Sequence, residues 1–167
     1  MISYLDTSSL AKLYVEEPDS GRIRSLLAAS DEVASSLVAY PEMRSALARR
    51  RREGHLEEAA YESSLRDFRR DWRTVRRISA TEELVEEAGE LADRHGLRGM
   101  DAIHLASALF LRASLGTKGL VFSTADVRLA RAAKAEGMTT GGVAWGAPGS
   151  SGLAAERGVR WRRARKR

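Results

Sequence analysis

The chain has 167 residues, 43% of them hydrophobic and 31% charged, with no cysteine. Those figures fit one soluble globular domain with a single well-formed core, and they exclude disulfides and thiolate metal sites. The formal charge is +5, but residues 156–167, ERGVRWRRARKR, carry +6 and leave −1 for the rest, so the basic character belongs to the tail.

In chain order, the first apolar run, 2–5, has strand character and ends in Asp6. No basic segment leads into a long apolar run there, and no later window approaches the ~20 apolar residues of a membrane span, so a cytoplasmic protein with no membrane partner is expected. Residues 8–15 read as a helix stopped by Glu16, Glu17 and Pro18, and 20–29 as another. EVASS (32–36) is the second strand candidate. A long helix is expected over 37–52, with Pro41 in its first turns, where proline is best tolerated, and Gly54 as its breaker. Residues 55–72 form an amphipathic helix with Leu56, Ala60, Leu65, Phe68 and Trp72 facing inward.

TVRRIS (74–79) is a short strand. Thr81 caps the following helix, which carries Glu82 and Glu83 in its first turn, an apolar face of Leu84, Ala88, Leu91 and Ala92, and Gly96 at its end. Residues 100–116 are apolar almost all round, as a central buried helix would be. GLVFST (119–124) is the most strand-like run; a helix over 127–135 and an edge strand within 138–143 complete the body. Strands alternating with helices predict an α/β sheet covered by helices. The domain is expected to span 1–145, with GAPGSSG opening a flexible linker and basic tail over 146–167, disordered and able to touch RNA without specificity.

Four acids stand out by position. Asp6 and Asp126 follow strands, at the carboxyl edge where open α/β sheets bind ligands. Glu42 sits among small and apolar residues, and Asp101 lies in the first turn of the apolar helix. Each has a plainer role open to it: Asp6 and Asp126 as helix caps, Glu42 as a surface residue paired with Arg44 or Arg49. Asp101 resists this most, because a carboxylate beside an apolar helix is costly unless donors or a cation satisfy it. Together the four suggest a carboxylate cluster, whose mutual repulsion a hard cation such as Mg²⁺ or Mn²⁺ would relieve. The absence of cysteine and three scattered histidines argue against zinc.

The segments YLDTSSLAKLYVEE, YPEMRSALARR, MDAIHLASAL and VFSTADVRLARAAKAEG, in this order, resemble the PIN-domain ribonucleases, and more narrowly the VapC-type toxins of toxin–antitoxin pairs. The likeness runs from Met1 to about Met138 and omits the tail. It implies a three-layer α/β/α fold with a central, mostly parallel sheet of four to five strands. It also implies a metal-dependent endoribonuclease that hydrolyses RNA phosphodiester bonds with Asp6, Glu42, Asp101 and Asp126. Asp6 and Asp101 would hold Mg²⁺ or Mn²⁺ directly, and Glu42 and Asp126 directly or through water. Thr7, Ser8 and Thr124 would support these ligands, and a VapB-like antitoxin would cover the cleft of a homodimeric toxin. The basic run Arg49, Arg50, Arg51 and Arg52 is a candidate to track the RNA backbone. His104 reads as a packed helix residue rather than a general base.

Two other classes remain open at this stage. A PIN-like module that binds RNA or a partner without turnover would use the same basic residues. An aspartyl-phosphate phosphatase would need a second acid two residues after Asp6, where Ser8 stands.

Overall fold

The computed structural model describes residues 1–115 and 119–142. Five strands, β1 (Ile2–Leu5), β2 (Glu32–Ser36), β3 (Arg76–Ile78), β4 (Leu120–Ser123) and β5 (Thr139–Thr140), form one sheet in the order β3-β2-β1-β4-β5. Every neighbouring pair is parallel. Parallel pairing requires crossover connections, and helices supply them here. These are α1 (Thr7–Ala11), α2 (Ser20–Ala28), α3 (Ala39–Arg52), α4 (Glu58–Trp72), α5 (Glu82–His95), α6 (Gly99–Leu115) and α7 (Val127–Ala135).

Strand side chains alternate between the two faces of the sheet, which divides the core in two. Tyr4, Ala34, Leu120 and Phe122 pack with Leu91, Leu105, Leu111 and Leu129 of α5, α6 and α7. Leu5 and Val33 instead join Leu10, Ile23, Met43, Leu47, Phe68 and Trp72 of α1 to α4. The result is the expected α/β/α arrangement, with five strands, all parallel.

Several boundaries differ from the sequence reading. The first helix ends at Ala11 rather than at 15, because the chain leaves it by tighter turns: Leu13 N–H returns to the Leu10 carbonyl and Tyr14 N–H to Ala11. Gly54 ends α3 as expected, in a left-handed conformation (φ +74°), but α4 starts at Glu58 rather than at 55, because His55 N–H still returns to the Arg50 carbonyl. On α4, Phe68 and Trp72 are buried as expected, but Ala60 is exposed while Ser64 and Asp71 turn inward. Ser64 donates to the Tyr14 carbonyl at 2.8 Å, which makes its burial tolerable. The strand over 74–79 contracts to β3, and the last edge strand to β5. Helix α6 is central, but one side opens to solvent at Phe110, 58% exposed. The linker and basic tail expected from residue 146 onward lie outside the described residues.

Candidate active site

β1 delivers Asp6 to the carboxyl edge of the sheet, where it is 4% exposed. The same carboxylate caps α1, accepting Ser9 N–H at Oδ1 over 2.8 Å. Two hydroxyls then hold it in place. Ser8 donates to Asp6 at 2.8–2.9 Å and accepts Ala125 N–H at 2.7 Å; Thr124 donates to Asp6 Oδ2 at 2.6 Å and accepts Asp126 N–H at 3.0 Å. Each hydroxyl thus links Asp6 to the loop that follows β4. Burial pushes the Asp6 carboxyl above its ordinary range, and the surrounding donors offset this only in part.

Glu42 enters from the first turn of α3 and is part-buried. Its Oε2 accepts from the Thr7 hydroxyl and from His104 Nε2, the latter at 2.9 Å. His104 Nδ1 lies 3.0 Å from the Tyr4 hydroxyl. Burial tends to raise the Glu42 carboxyl, but the bonds from His104 and Thr7 outweigh it and hold the group below its ordinary value.

Asp101 lies in the first turn of α6 and Asp126 caps α7, accepting Leu129 N–H at 2.8 Å. Among the described residues Asp101 has no hydrogen-bond or ion-pair partner. Burial, then the charges of Asp126 and Asp6, push its carboxyl up. All four acids line one cleft of about 500 Å³, together with Thr7, Ser8, Glu17, Arg49, Arg50 and Arg98. On α3 the lining positions are 42, 45, 46, 49 and 50, the spacing of one helix face. Ser45 and Ala46 in its middle leave room between the acid end and the arginine end.

The donor set facing the cleft is all oxygen, apart from a histidine whose two nitrogens are engaged, and it suits a hard divalent cation. The unrelieved repulsion at Asp101 fits a group waiting for positive charge. As the side chains stand, among the described residues no three acids or histidines are grouped so as to hold one ion. Asp6 and Asp126 are instead turned to helix caps and hydroxyl donors.

The PIN domain profile matches residues 3–135, which takes in all four acids. The chain is 40% identical over 134 residues to Ribonuclease VapC45 of Mycobacterium tuberculosis, a match covering 80% of this chain and 90% of that one. The chain belongs to the PIN-domain family, in its VapC-type branch. Solved structures agree in fold. One is PAE2754 from Pyrobaculum aerophilum (TM-score 0.59, 19% identity, 84% of this chain and 83% of that one). Another is VapBC2 from Rickettsia felis, solved with a DNA fragment from its promoter (TM-score 0.57, 17% identity, 84% and 97%).

Within this PIN fold the basic run on α3 divides. Arg49 and Arg50 line the cleft, whereas Arg51 pairs with Glu58 at 3.0 Å and lies over the Tyr61 ring at 4.4 Å; Arg52 is exposed and is absent from the lining. Arg50 is itself paired with Glu17, which also holds the buried Lys12 at 3.1 Å. Glu42 pairs with neither Arg44 nor Arg49. Sequence reasoning missed Arg98 and Glu17 as cleft residues. Arg98 was within reach, since it stands immediately before α6, three positions ahead of Asp101. Glu17 left no signal, because a loop alone brings it to α3. No helix among the described residues is long and apolar enough to cross a membrane.

Proposed function

We propose that this chain is a divalent-metal-dependent endoribonuclease that acts in the cytoplasm as the toxin of a toxin–antitoxin pair. One observation carries the reading: acids from four separate segments line a single cleft at the carboxyl edge of the sheet, with Arg49, Arg50 and Arg98 on the same walls. Carboxylates alone would repel an RNA backbone. Paired with arginines they suit a phosphodiester whose charge is shared between guanidinium groups and a cation.

Asp6 and Asp101 would hold Mg²⁺ or Mn²⁺, with Glu42 and Asp126 reaching it directly or through water. Such an ion, when bound, supplies a polarised phosphoryl oxygen and a water acidified towards neutrality. The protein's own residues do the rest. Ser8 and Thr124 fix the Asp6 carboxylate, Thr7 fixes Glu42, and the arginines orient the substrate's phosphates. Glu42, kept ionised by its donors, is placed to accept a proton from an attacking water.

Similar solved structures include a toxin–antitoxin complex from Klebsiella pneumoniae and VapBC2 from Rickettsia felis, which supports a protein antitoxin as partner. We assign this chain a VapB-like antitoxin that covers the cleft, and a homodimeric toxin.

The test uses purified protein free of antitoxin, incubated with total RNA and Mn²⁺ or Mg²⁺. Cleavage that vanishes with EDTA and in a folded Asp101→Asn variant is the expected result. Full activity under either condition would overturn the mechanism. The arginines on the cleft walls also suit a second reading, a binding module without turnover. Metal-independent RNA binding with no cleavage of any RNA would select it.

A further inference from the structure

A buried polar chain runs from the middle of the sheet to the cleft. Tyr4 is fully buried on β1, with its ring stacked on Phe122 at 5.5 Å. His104, only 2% exposed, stands on α6 one turn beyond Asp101. It spans the 3.0 Å contact to the Tyr4 hydroxyl and the 2.9 Å contact to Glu42 Oε2. A buried imidazole is tolerable only when its nitrogens are bonded. Here both are: Nδ1 to Tyr4 on β1, and Nε2 to Glu42 on α3 and, at 3.1 Å, to the Thr7 hydroxyl on α1. Packing alone would need no such commitment, because an aliphatic side chain would fill the same buried space.

The chemistry of the partners decides which atom donates. An ionised carboxylate can only accept, so Nε2 carries the proton. Burial pushes the Tyr4 phenol far above its ordinary value, so it keeps its O–H, and that proton is available to Nδ1. Glu42 Oε2 then receives two donors, Nε2–H and the Thr7 hydroxyl. Among the described residues, Oε1 accepts none.

We propose that His104 is a positioning residue: held as its Nε2–H tautomer by Tyr4, it pins Glu42 Oε2 and leaves Oε1 as the oxygen offered to the cleft. The role rests on reading the cleft as a nuclease site. It also argues against His104 as the base, since both of its nitrogens are already in use.

The tautomer is read directly, without RNA or metal, by ¹H–¹⁵N correlation of the imidazole rings in the full-length protein. A pyrrole-type Nε2 with a pyridine-type Nδ1 is expected, and an Nδ1–H tautomer overturns the proposal. A second arm compares His104→Gln, whose amide can still donate to Glu42, with His104→Leu, which cannot. With folding checked by thermal melts, the Leu variant is expected to lose about 10- to 100-fold in kcat, as when partners that orient metal ligands are removed. KM for RNA should change little, and the Gln variant should stay within about tenfold of the parent on the same scale. A folded Leu variant as fast as the parent overturns the proposal. If that variant does not fold, Tyr4→Phe replaces it: a mixed tautomer with lowered kcat supports the role, and an unchanged one overturns it. A parent protein that cleaves no RNA removes the nuclease reading, and the tautomer measurement then decides the positioning by itself.

Discussion

Thr124 donates to Asp6 Oδ2 at 2.6 Å across 118 positions of sequence, and accepts Asp126 N–H at 3.0 Å with the same oxygen. One hydroxyl therefore joins the ends of two adjacent strands and sets the spacing of two acids. Thr124→Val keeps the shape and removes both bonds. A hydrogen bond to a charged group contributes about 1.5–3 kcal/mol, and the buried Asp6 would lose its shortest donor. Urea denaturation should show a loss in that range, and the activity should fall with it.

The Asp101 carboxyl is raised by burial and by Asp126 and Asp6. The sign for stability follows from proton release. As pH rises through the ordinary carboxylate range, the unfolded chain ionises first, so stability falls until the raised value is passed and stays lower at neutral pH. Asp101→Asn has no proton to release there. Melted in EDTA at pH 7, it should unfold a few degrees above the parent, and the two should converge in acid below the ordinary carboxylate range. Added Mn²⁺ should raise the melting temperature of the parent and leave the variant where it was.

Arg49 and Arg98 line the cleft, with Arg49 about 10 Å along α3 from Glu42. That is the distance of a phosphate one or two nucleotides from the acids. In an Asp101→Asn background, which separates binding from cleavage, Arg49→Ala and Arg98→Ala should each weaken RNA binding. Each should also reduce the salt dependence by about one phosphate contact. Arg52→Ala, exposed and off the lining, should change neither. Fluorescence anisotropy over a salt series measures all three.

Glu17 makes a prediction of opposite sign for two readouts. It neutralises the buried Lys12 and also occupies the Arg50 guanidinium at the edge of the cleft. Glu17→Ala should lower stability by about 1–3 kcal/mol, because Lys12 keeps only the Pro18 carbonyl at 2.8 Å. The same change should tighten RNA binding by freeing Arg50. Denaturation and anisotropy on one protein preparation would show both.

The centre of the sheet was legible because β1 and β4 are short apolar runs punctuated by helices, and Asp6 and Asp126 were legible because they stand where those strands end. Contacts between distant helices were not. His104 and Glu42 are 62 positions apart, and only the facing of α3 and α6 across the edge of β1 brings them together. On α4 the apolar period pointed to Ala60, but Ser64 and Asp71 are the residues that turn inward, because Tyr14 offers a carbonyl to one and a hydroxyl to the other. Polar residues with waiting partners do not show in a hydrophobic pattern.

The β3 edge of the sheet is three residues long, and both Arg76 and Arg77 on it are exposed. Backbone groups left unpaired along such an edge invite another strand, and bulky cations discourage one. This border is therefore closed to growth by strand addition. On this side of the molecule a partner is expected to meet helices, where contact can be made and broken without touching the sheet that aligns the acids.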